Sequence, residues 1–296
     1  MIRKLIRFGA VATLLAAMAL PAGAATKKRT RRSTPDPDPA PAAVTPSLDP
    51  LGKTPRTRAE SVLVSDALTG RVLYEKNADE QRPPASTQKL LTALVIVESG
   101  NLNQKLRVEL SDTQAEPVKL GFKPGEVYTR RELLEVLLVH SVNDVARALA
   151  RDNAGSVEAF AEKMNAKALE LGMRRSHFVN PNGLPAPNQY STARDMTRLA
   201  FAAYRSSTIR SIVSTKSMYF RFASGRVQEF HNTNLILRDY PYCTGMKTGY
   251  TEAAGHCLVS SASNDGREVI SVVLGERSRS WLWRDSCSLL AWGLSL

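Results

Sequence analysis

Strand-type alternation lies at the two ends of the globular part of this 296-residue chain, and helical periodicity fills its middle. Val62 and Val64, then Val72 and Tyr74, alternate with more polar neighbours on either side of Thr69-Gly70, the pattern of a β-hairpin. Three more strands are expected over Thr244 to Thr251, His256 to Ser263 and Glu268 to Leu274, with Asn264-Asp265-Gly266 turning between the last two. Between these ends, Leu90, Leu94 and Val97 recur at helical spacing up to Gly100. A capping box, Thr129-Arg130-Arg131-Glu132, opens the apolar run Leu133 to Leu138. Further helical patterns cover Val145 to Ala150, about Ser156 to Leu171, and Thr192 to Tyr204, and a last helix is expected from about Ser280 to Trp292. Met218, Phe220 and Phe222 alternate before Ser224-Gly225. This distribution predicts an α+β fold: a mainly antiparallel five-stranded sheet flanked by helices, interrupted by an all-helical lobe over about 86–210, with a cleft between sheet and lobe.

The sequence ahead of that region reads differently. Arg3, Lys4 and Arg7 precede an uncharged run from Phe8 to Leu20 and then Ala22-Gly23-Ala24, the pattern of an export signal over 1–24 cleaved after Ala24. The run is shorter than the roughly 20 residues that span a bilayer. Residues 25–58 are basic and rich in Pro and Ala, with Lys27, Lys28, Arg29, Arg31 and Arg32 at their start, and are expected to form a disordered linker. That leaves 59–296 as one domain, which also holds the residues able to carry chemistry. The net charge of +12 is therefore concentrated in the leader and tail. Export argues against nucleic acid as a partner and leaves loose contacts of the tail with an anionic envelope surface. The protein is expected in the periplasm or cell envelope, soluble or held by an uncleaved N-terminal segment. Cys243, Cys257 and Cys287 are odd in number, so no disulfide scaffold is expected, although a Cys243 to Cys257 bridge stays open.

Three short motifs stand in order: Ser86-Thr87-Gln88-Lys89, Ser141-Val142-Asn143 and Lys247-Thr248-Gly249. Each alone would pass as a cap, a polar turn or a strand fragment. Together they supply a nucleophile, an amine to activate it, a proton relay and an anion-binding strand. Ser86 and Lys89, three apart in a first helical turn, lie on one face, so the amine reaches the hydroxyl. Helix N-terminal amides favour negative charge on an incoming carbonyl. Lys89 serves as a base only if its pKa falls, which burial and a nearby Lys247 would bring about. Ser141 and Asn143 sit on a break between helices, facing a cleft. The scattered histidines, His140, His177, His231 and His256, form no metal-binding pair, and no cofactor is called for. His140 beside Ser141 reads as packing, because no nucleophile elbow accompanies it.

The stretch Val64-Ser65-Asp66 through Gly70 to Tyr74 and Pro84-Ala85-Ser86-Thr87-Gln88-Lys89, with the two later motifs and Asn180-Pro181-x-Gly183-Leu184-Pro185, resembles the penicillin-binding D-alanyl-D-alanine carboxypeptidases. The resemblance implies Ser86 as the acylated nucleophile, Lys89 as its base and Ser141 as the group passing a proton to the leaving amine. It implies that Asn143, Lys247, Thr248, Gly249 and Tyr250 bind substrate, with the amides of Ser86 and Tyr250 as the oxyanion hole. The substrates implied are peptidoglycan stem peptides ending in D-Ala-D-Ala, with β-lactams as covalent inhibitors. The family often carries a later β-rich domain and membrane helix, to which this sequence does not extend, so attachment is expected from the N-terminal end. An arginine often helps to fix the substrate carboxylate; Arg277, Arg279 and Arg284 are all candidates. The expected activity is a serine-type D-Ala-D-Ala carboxypeptidase of cell-wall peptidoglycan, with a DD-endopeptidase as the alternative. A β-lactamase is disfavoured because no Glu-x-x-Leu-Asn segment follows the second motif, and a non-catalytic wall-binding module because the catalytic types are retained.

Overall fold

The computed structural model describes residues 54–296. The export signal over 1–24 and the linker up to residue 53 lie outside the described residues. Arg58, expected in the linker, is instead packed: its amide donates to Asp285 Oδ2 at 2.8 Å, and its guanidinium lies 3.5 Å from the Trp281 ring centroid.

Two hairpin strands open the fold, β1 Ser61–Asp66 and β2 Val72–Lys76. The Asp66 carboxylate closes their turn by accepting the amides of Leu68 and Thr69. A 3-10 turn over Ala85–Gln88 leads into α1 Lys89–Glu98. Next come β3 Lys105–Arg107, α2 Leu110–Thr113, β4 Val127–Thr129 and α3 Arg130–His140. Helices α4 Asn143–Ala154, α5 Val157–Glu170, α6 Ala193–Arg205 and α7 Ser207–Val213 follow. Strands β5 Ser217–Arg221 and β6 Val227–His231 form a separate hairpin, then α8 Ile236–Asp239. The chain ends in β7 Cys243–Thr251, β8 Gly255–Asn264, β9 Arg267–Glu276 and α9 Arg279–Ser295.

The main sheet runs β2-β1-β9-β8-β7 and its pairs are all antiparallel, so the N-terminal hairpin joins the C-terminal meander through β1 beside β9. Both faces are covered. Val62, Val64, Leu258, Val269 and Val273 pack against Leu282, Leu289 and Leu290 of α9. Leu63, Val259, Ile270, Val272 and Leu274 join the core of the lobe on the other face. The expected one-sided alternation in β1 therefore gives way to burial on both faces.

The helix starts follow their local chemistry. Thr129 Oγ1 accepts the Glu132 amide at 3.2 Å while Glu132 Oε2 accepts the Thr129 amide at 2.7 Å, closing the capping box. Ser156 and Thr192 accept the amides of Ala159 and Asp195 in the same way. The lobe departs from the all-helical expectation at β3 and β4. These three-residue strands pair Leu106 with Tyr128 and bury both side chains, a contact made between distant segments that local periodicity does not announce. Helix α1 also differs, since Leu90, Leu91, Ala93, Leu94 and Ile96 are all buried and it forms the centre of the lobe.

All three cysteines are free and buried, so the Cys243 to Cys257 bridge does not form. In the β7–β8 ladder Cys243 stands opposite Ala262 and Cys257 opposite Gly249, at opposite ends of the pair. Burial pushes the Cys243 and Cys257 thiols up to about 11 and that of Cys287 to about 12. They pack as small apolar side chains.

Leu137→Ala, which empties a fully buried position of the lobe, should cost about 2–5 kcal/mol. Thr129→Ala should cost only about 1 kcal/mol, the value of a helix cap. Chemical denaturation at unchanged m measures both, and equal losses would contradict a lobe held mainly by its core.

Candidate active site

The site begins at the turn before α1. Pro84 O accepts both the amide and the hydroxyl of Thr87, at 3.3 and 2.5 Å, which tightens the chain into a 3-10 turn and sets Ser86 at the helix entrance. Three residues on, Lys89 Nζ donates to Ser86 Oγ at 2.7 Å, as the Ser-x-x-Lys spacing predicts.

The same amine donates to Asn143 Oδ1 at 2.8 Å and to the Asn182 carbonyl at 2.6 Å. Lys89 is 0 % exposed, and these three acceptors are its hydrogen-bond partners. They satisfy an ammonium fully. A neutral amine has two N–H groups and a lone pair, and of its three partners only the Ser86 hydroxyl can donate to that lone pair. Loss of the proton therefore turns the lysine lone pair onto the serine hydrogen. Burial, and after it the positive Lys247, holds the Lys89 amine well below the ordinary lysine range. Lys247 is itself 1 % exposed and donates to the Thr248 carbonyl at 3.1 Å; burial brings it down to about 7.

The turn-rich segment Asn180 to Pro185 is part of this arrangement. Three successive carbonyls, of Asn180, Pro181 and Asn182, accept from Gln88 Nε2 at 2.5 Å, Thr92 Oγ1 at 2.7 Å and Lys89 Nζ. They form a row of acceptors along one face of α1. Gly183 allows the approach: its φ is +85°, and a Cβ there would stand 2.1 Å from Ala85 O. Asn180 Oδ1 accepts the Gly183 amide at 2.8 Å and holds the loop in this shape.

Ser141 ends α3 with a left-handed φ of 69°, and α4 starts two residues later. The expected break between helices is present. Asn143 uses its amide group differently from the expectation of a substrate contact. Its oxygen faces Lys89, and its Nδ2 donates to the carbonyls of Glu116 and Pro117 at 3.2 and 2.9 Å. Next to it, Asp144 accepts the amides of Leu120 and Gly121 at 2.9 and 3.0 Å and so anchors the same segment; nothing in the motif itself flags this residue.

Strand β7 supplies the facing wall. As the edge of the sheet it leaves alternate backbone groups unpaired by the sheet. A Cβ on Gly249 would lie 2.8 Å from the Ser86 amide nitrogen, so glycine lets the strand close directly on the serine turn. A cavity of about 330 Å³ lies between, lined by Ser86, Ser141, Asn143, Thr248, Tyr250 and Arg279 among others. Thr248 Oγ1 is 2.7 Å from the hydroxyl of Thr233, a residue that sequence reasoning did not single out. Tyr250 is 57 % exposed and stacks on His256 at 4.4 Å. Of the three candidate arginines, Arg279 lines the cavity, whereas Arg277 pairs with Glu60 and Arg284 lies over Trp281. His140 borders the cavity, but its ring packs at a tilt against Phe230, 4.8 Å between centroids, and its Nδ1 is 3.2 Å from the His231 carbonyl, in keeping with packing. The arrangement offers a serine with a buried amine and, around the same cavity, a second serine hydroxyl, threonine hydroxyls and the Arg279 guanidinium. Those are the parts needed for acyl transfer to serine from a substrate carrying a carboxylate.

A profile of the D-alanyl-D-alanine carboxypeptidase family matches residues 50–278. A D-alanyl-D-alanine carboxypeptidase of Bacillus subtilis is 36% identical over 222 residues, covering 73% of this chain and 57% of that protein. A D-alanyl-D-alanine endopeptidase of Escherichia coli is 34% identical over 242 residues, 80% of this chain and 78% of its own length. The solved structure of a D-alanyl-D-alanine carboxypeptidase from Mycobacterium tuberculosis superposes with a TM-score of 0.79 at 35% identity, covering 84% of this chain and 97% of that one. By sequence and by fold, the chain belongs to the D-alanyl-D-alanine carboxypeptidase family.

Proposed function

We propose that the protein is a serine-type D-Ala-D-Ala carboxypeptidase that removes the terminal D-Ala of peptidoglycan stem peptides and is acylated by β-lactams. The observation that carries this reading is the contact of Lys89 Nζ with Ser86 Oγ, with the amine otherwise enclosed by Asn143 and Asn182. In the proposed reaction Ser86 Oγ bonds to the carbonyl carbon of the penultimate D-Ala while its proton passes to Lys89. The amide C–N bond then breaks, and Ser141 passes a proton to the departing D-Ala amine. Water hydrolyses the ester and restores Ser86. The amides of Ser86 and Tyr250 stabilise the oxyanion, supported by the close fit of Gly249 on the Ser86 turn. Asn143 positions Lys89, and its two Nδ2 bonds support that role over a direct substrate contact. Lys247, Thr248 and Arg279 receive the terminal carboxylate. The enzyme acts in the cell envelope; among the described residues no helix is long and apolar enough to cross a membrane.

Likeness to a protein named as an endopeptidase supports a second reading, cleavage of D-Ala cross-links by the same chemistry. Mass spectrometry of digested cell wall separates the two. Loss of terminal D-Ala with cross-links unchanged is the expected result, and loss of cross-linked dimers favours the endopeptidase. A fluorescent penicillin should label the full chain and leave Ser86→Ala dark. Absence of labelling on the intact protein would overturn both readings, and rapid turnover of the penicillin would point to a β-lactamase.

Gly249→Ala should fold normally but lose acylation rate by about 10²-fold, because the added methyl forces strand and serine turn apart. Stopped-flow penicillin acylation beside a thermal melt checks this. An unchanged rate would show that the close fit is not needed.

The pH profile follows from the two buried amines. Lys89 must be neutral to take the serine proton, so activity rises as its proton leaves. Burial, and after it the positive Lys247, holds Lys89 well below the ordinary lysine range, so the rising limb is displaced downward in pH. Activity then falls as Lys247 deprotonates near its value of about 7, because the carboxylate loses a cation. For a peptide ending in a carboxylate kcat/KM should be bell-shaped; for the C-terminal amide the falling limb should vanish. Identical profiles would remove Lys247 from carboxylate binding.

A further inference from the structure

One face of the first turn of α9 has no part in the acyl-transfer site. There two guanidinium groups lie against the Trp281 ring, Arg58 at 3.5 Å and Arg284 at 4.3 Å from its centroid. Arg277, just before the helix, has a side chain 88% exposed and meets only Glu60, at 3.3 Å. Arg279 lies between them in sequence and lines the catalytic cavity. Of the nearby acidic groups, Glu60 meets Arg277 at the surface and the others lie beneath it. Glu276 and Asp285 are 1% and 4% exposed, Glu276 accepts the amides of Arg277 and Ser278, and Asp285 accepts the Arg58 amide. A row of exposed arginines in sequence, Arg277, Arg279 and Arg284, thus opens α9, with Arg279 on the catalytic cavity and the exposed Arg58 packed on Trp281 beside Arg284.

We propose that this row is a second binding surface, which holds the side-chain carboxylates of polymeric peptidoglycan next to the strand whose stem peptide enters the cleft. The inference rests on the function proposed above and extends it to the substrate class: the insoluble, many-charged polymer rather than a free peptide. Guanidinium groups stacked on an indole keep their N–H edges free for bidentate contact with carboxylates, and stacking holds them in place beforehand. A polymer that presents many carboxylates gains from several such contacts at once. An anionic membrane is the less suitable partner. Insertion needs a free aromatic side chain, and two guanidinium groups already lie against the Trp281 ring.

The test uses the full chain carrying Ser86→Ala, which keeps the polymer intact, and compares it with Arg277→Gln/Arg284→Gln and Arg277→Lys/Arg284→Lys added to that background. Co-sedimentation with purified insoluble peptidoglycan should weaken about ten-fold in the glutamine variant and much less in the lysine variant, and 0.5 M salt should weaken the parent as well. With Ser86 restored, the glutamine variant should keep its rate on a soluble D-Ala-D-Ala peptide and its penicillin labelling. Equal sedimentation of all three proteins would overturn the proposal. So would a parallel fall in soluble-peptide turnover, which would make these arginines part of the site or the fold. Binding to phosphatidylglycerol vesicles, lost in the glutamine variant while peptidoglycan binding stays, would assign the surface to a membrane instead. Failure of penicillin labelling in the parent enzyme would overturn the acyl-transfer reading alone, since sedimentation does not depend on it.

Discussion

The structure turns on a lysine sealed from water beside a serine. Removing an ammonium ion from water costs several kcal/mol even after the protein relaxes. Hydrogen bonds to a charged group return about 1.5–3 kcal/mol each. Lys89 donates three such bonds, to Ser86, Asn143 and Asn182, and their return falls short of the cost of burial, which leads the lowering of its pKa. An amine held in that balance gives up its proton far more readily than one in solution, and the second buried amine, Lys247, tips the balance further. The three acceptors come from three parts of the chain: the start of α1, the start of α4 and the loop before α6. Much of the lobe is therefore arranged around one nitrogen atom.

That arrangement explains why the sheet and the lobe interrupt one another in sequence. The serine turn must meet both the lobe, which dries the lysine, and the sheet edge, which on the proposed reaction faces the substrate. Placing β1 and β2 before the lobe and β7 to β9 after it, with β1 paired to β9, brings the chain back to the same sheet on leaving the lobe. Helix α9 then seals the far face of the sheet with Leu282, Leu289 and Leu290. The first turn of this helix reaches the cleft through Arg279, so the closing element of the fold also borders the site.

Features set by neighbours in sequence were legible without coordinates: the two hairpins, the Thr129 and Glu132 capping box, the break at Ser141, and the reach of Lys89 to Ser86. Their causes are local, so their signals are local. The acceptors at Asn180 to Asn182 were not legible in the same way. The loop was seen, but its part is played by main-chain carbonyls, which every residue type carries alike. Strands β3 and β4 escaped because three residues give almost no period and their pairing comes from distant segments. Arg279 could not be chosen over Arg277 and Arg284 because the choice depends on how α9 sits on the sheet. Arg58 read as part of a flexible tail because its partner, Trp281, lies more than two hundred residues away.

An open sheet edge is a hazard as well as an opportunity, since unpaired N–H and C=O groups invite any extended chain to add. In β7 that edge is narrowed from both directions. The serine turn lies against Gly249, and the segment carrying Thr233 reaches Thr248 through paired hydroxyls. A buried lysine in the middle of the edge also opposes aggregation, because a chain that pairs there without bringing a carboxylate leaves that amine without a counter-charge. On the proposed reaction the same property selects the substrate: the strand admits a peptide whose end carries negative charge, and that charge favours the protonated form of Lys247 that binds it.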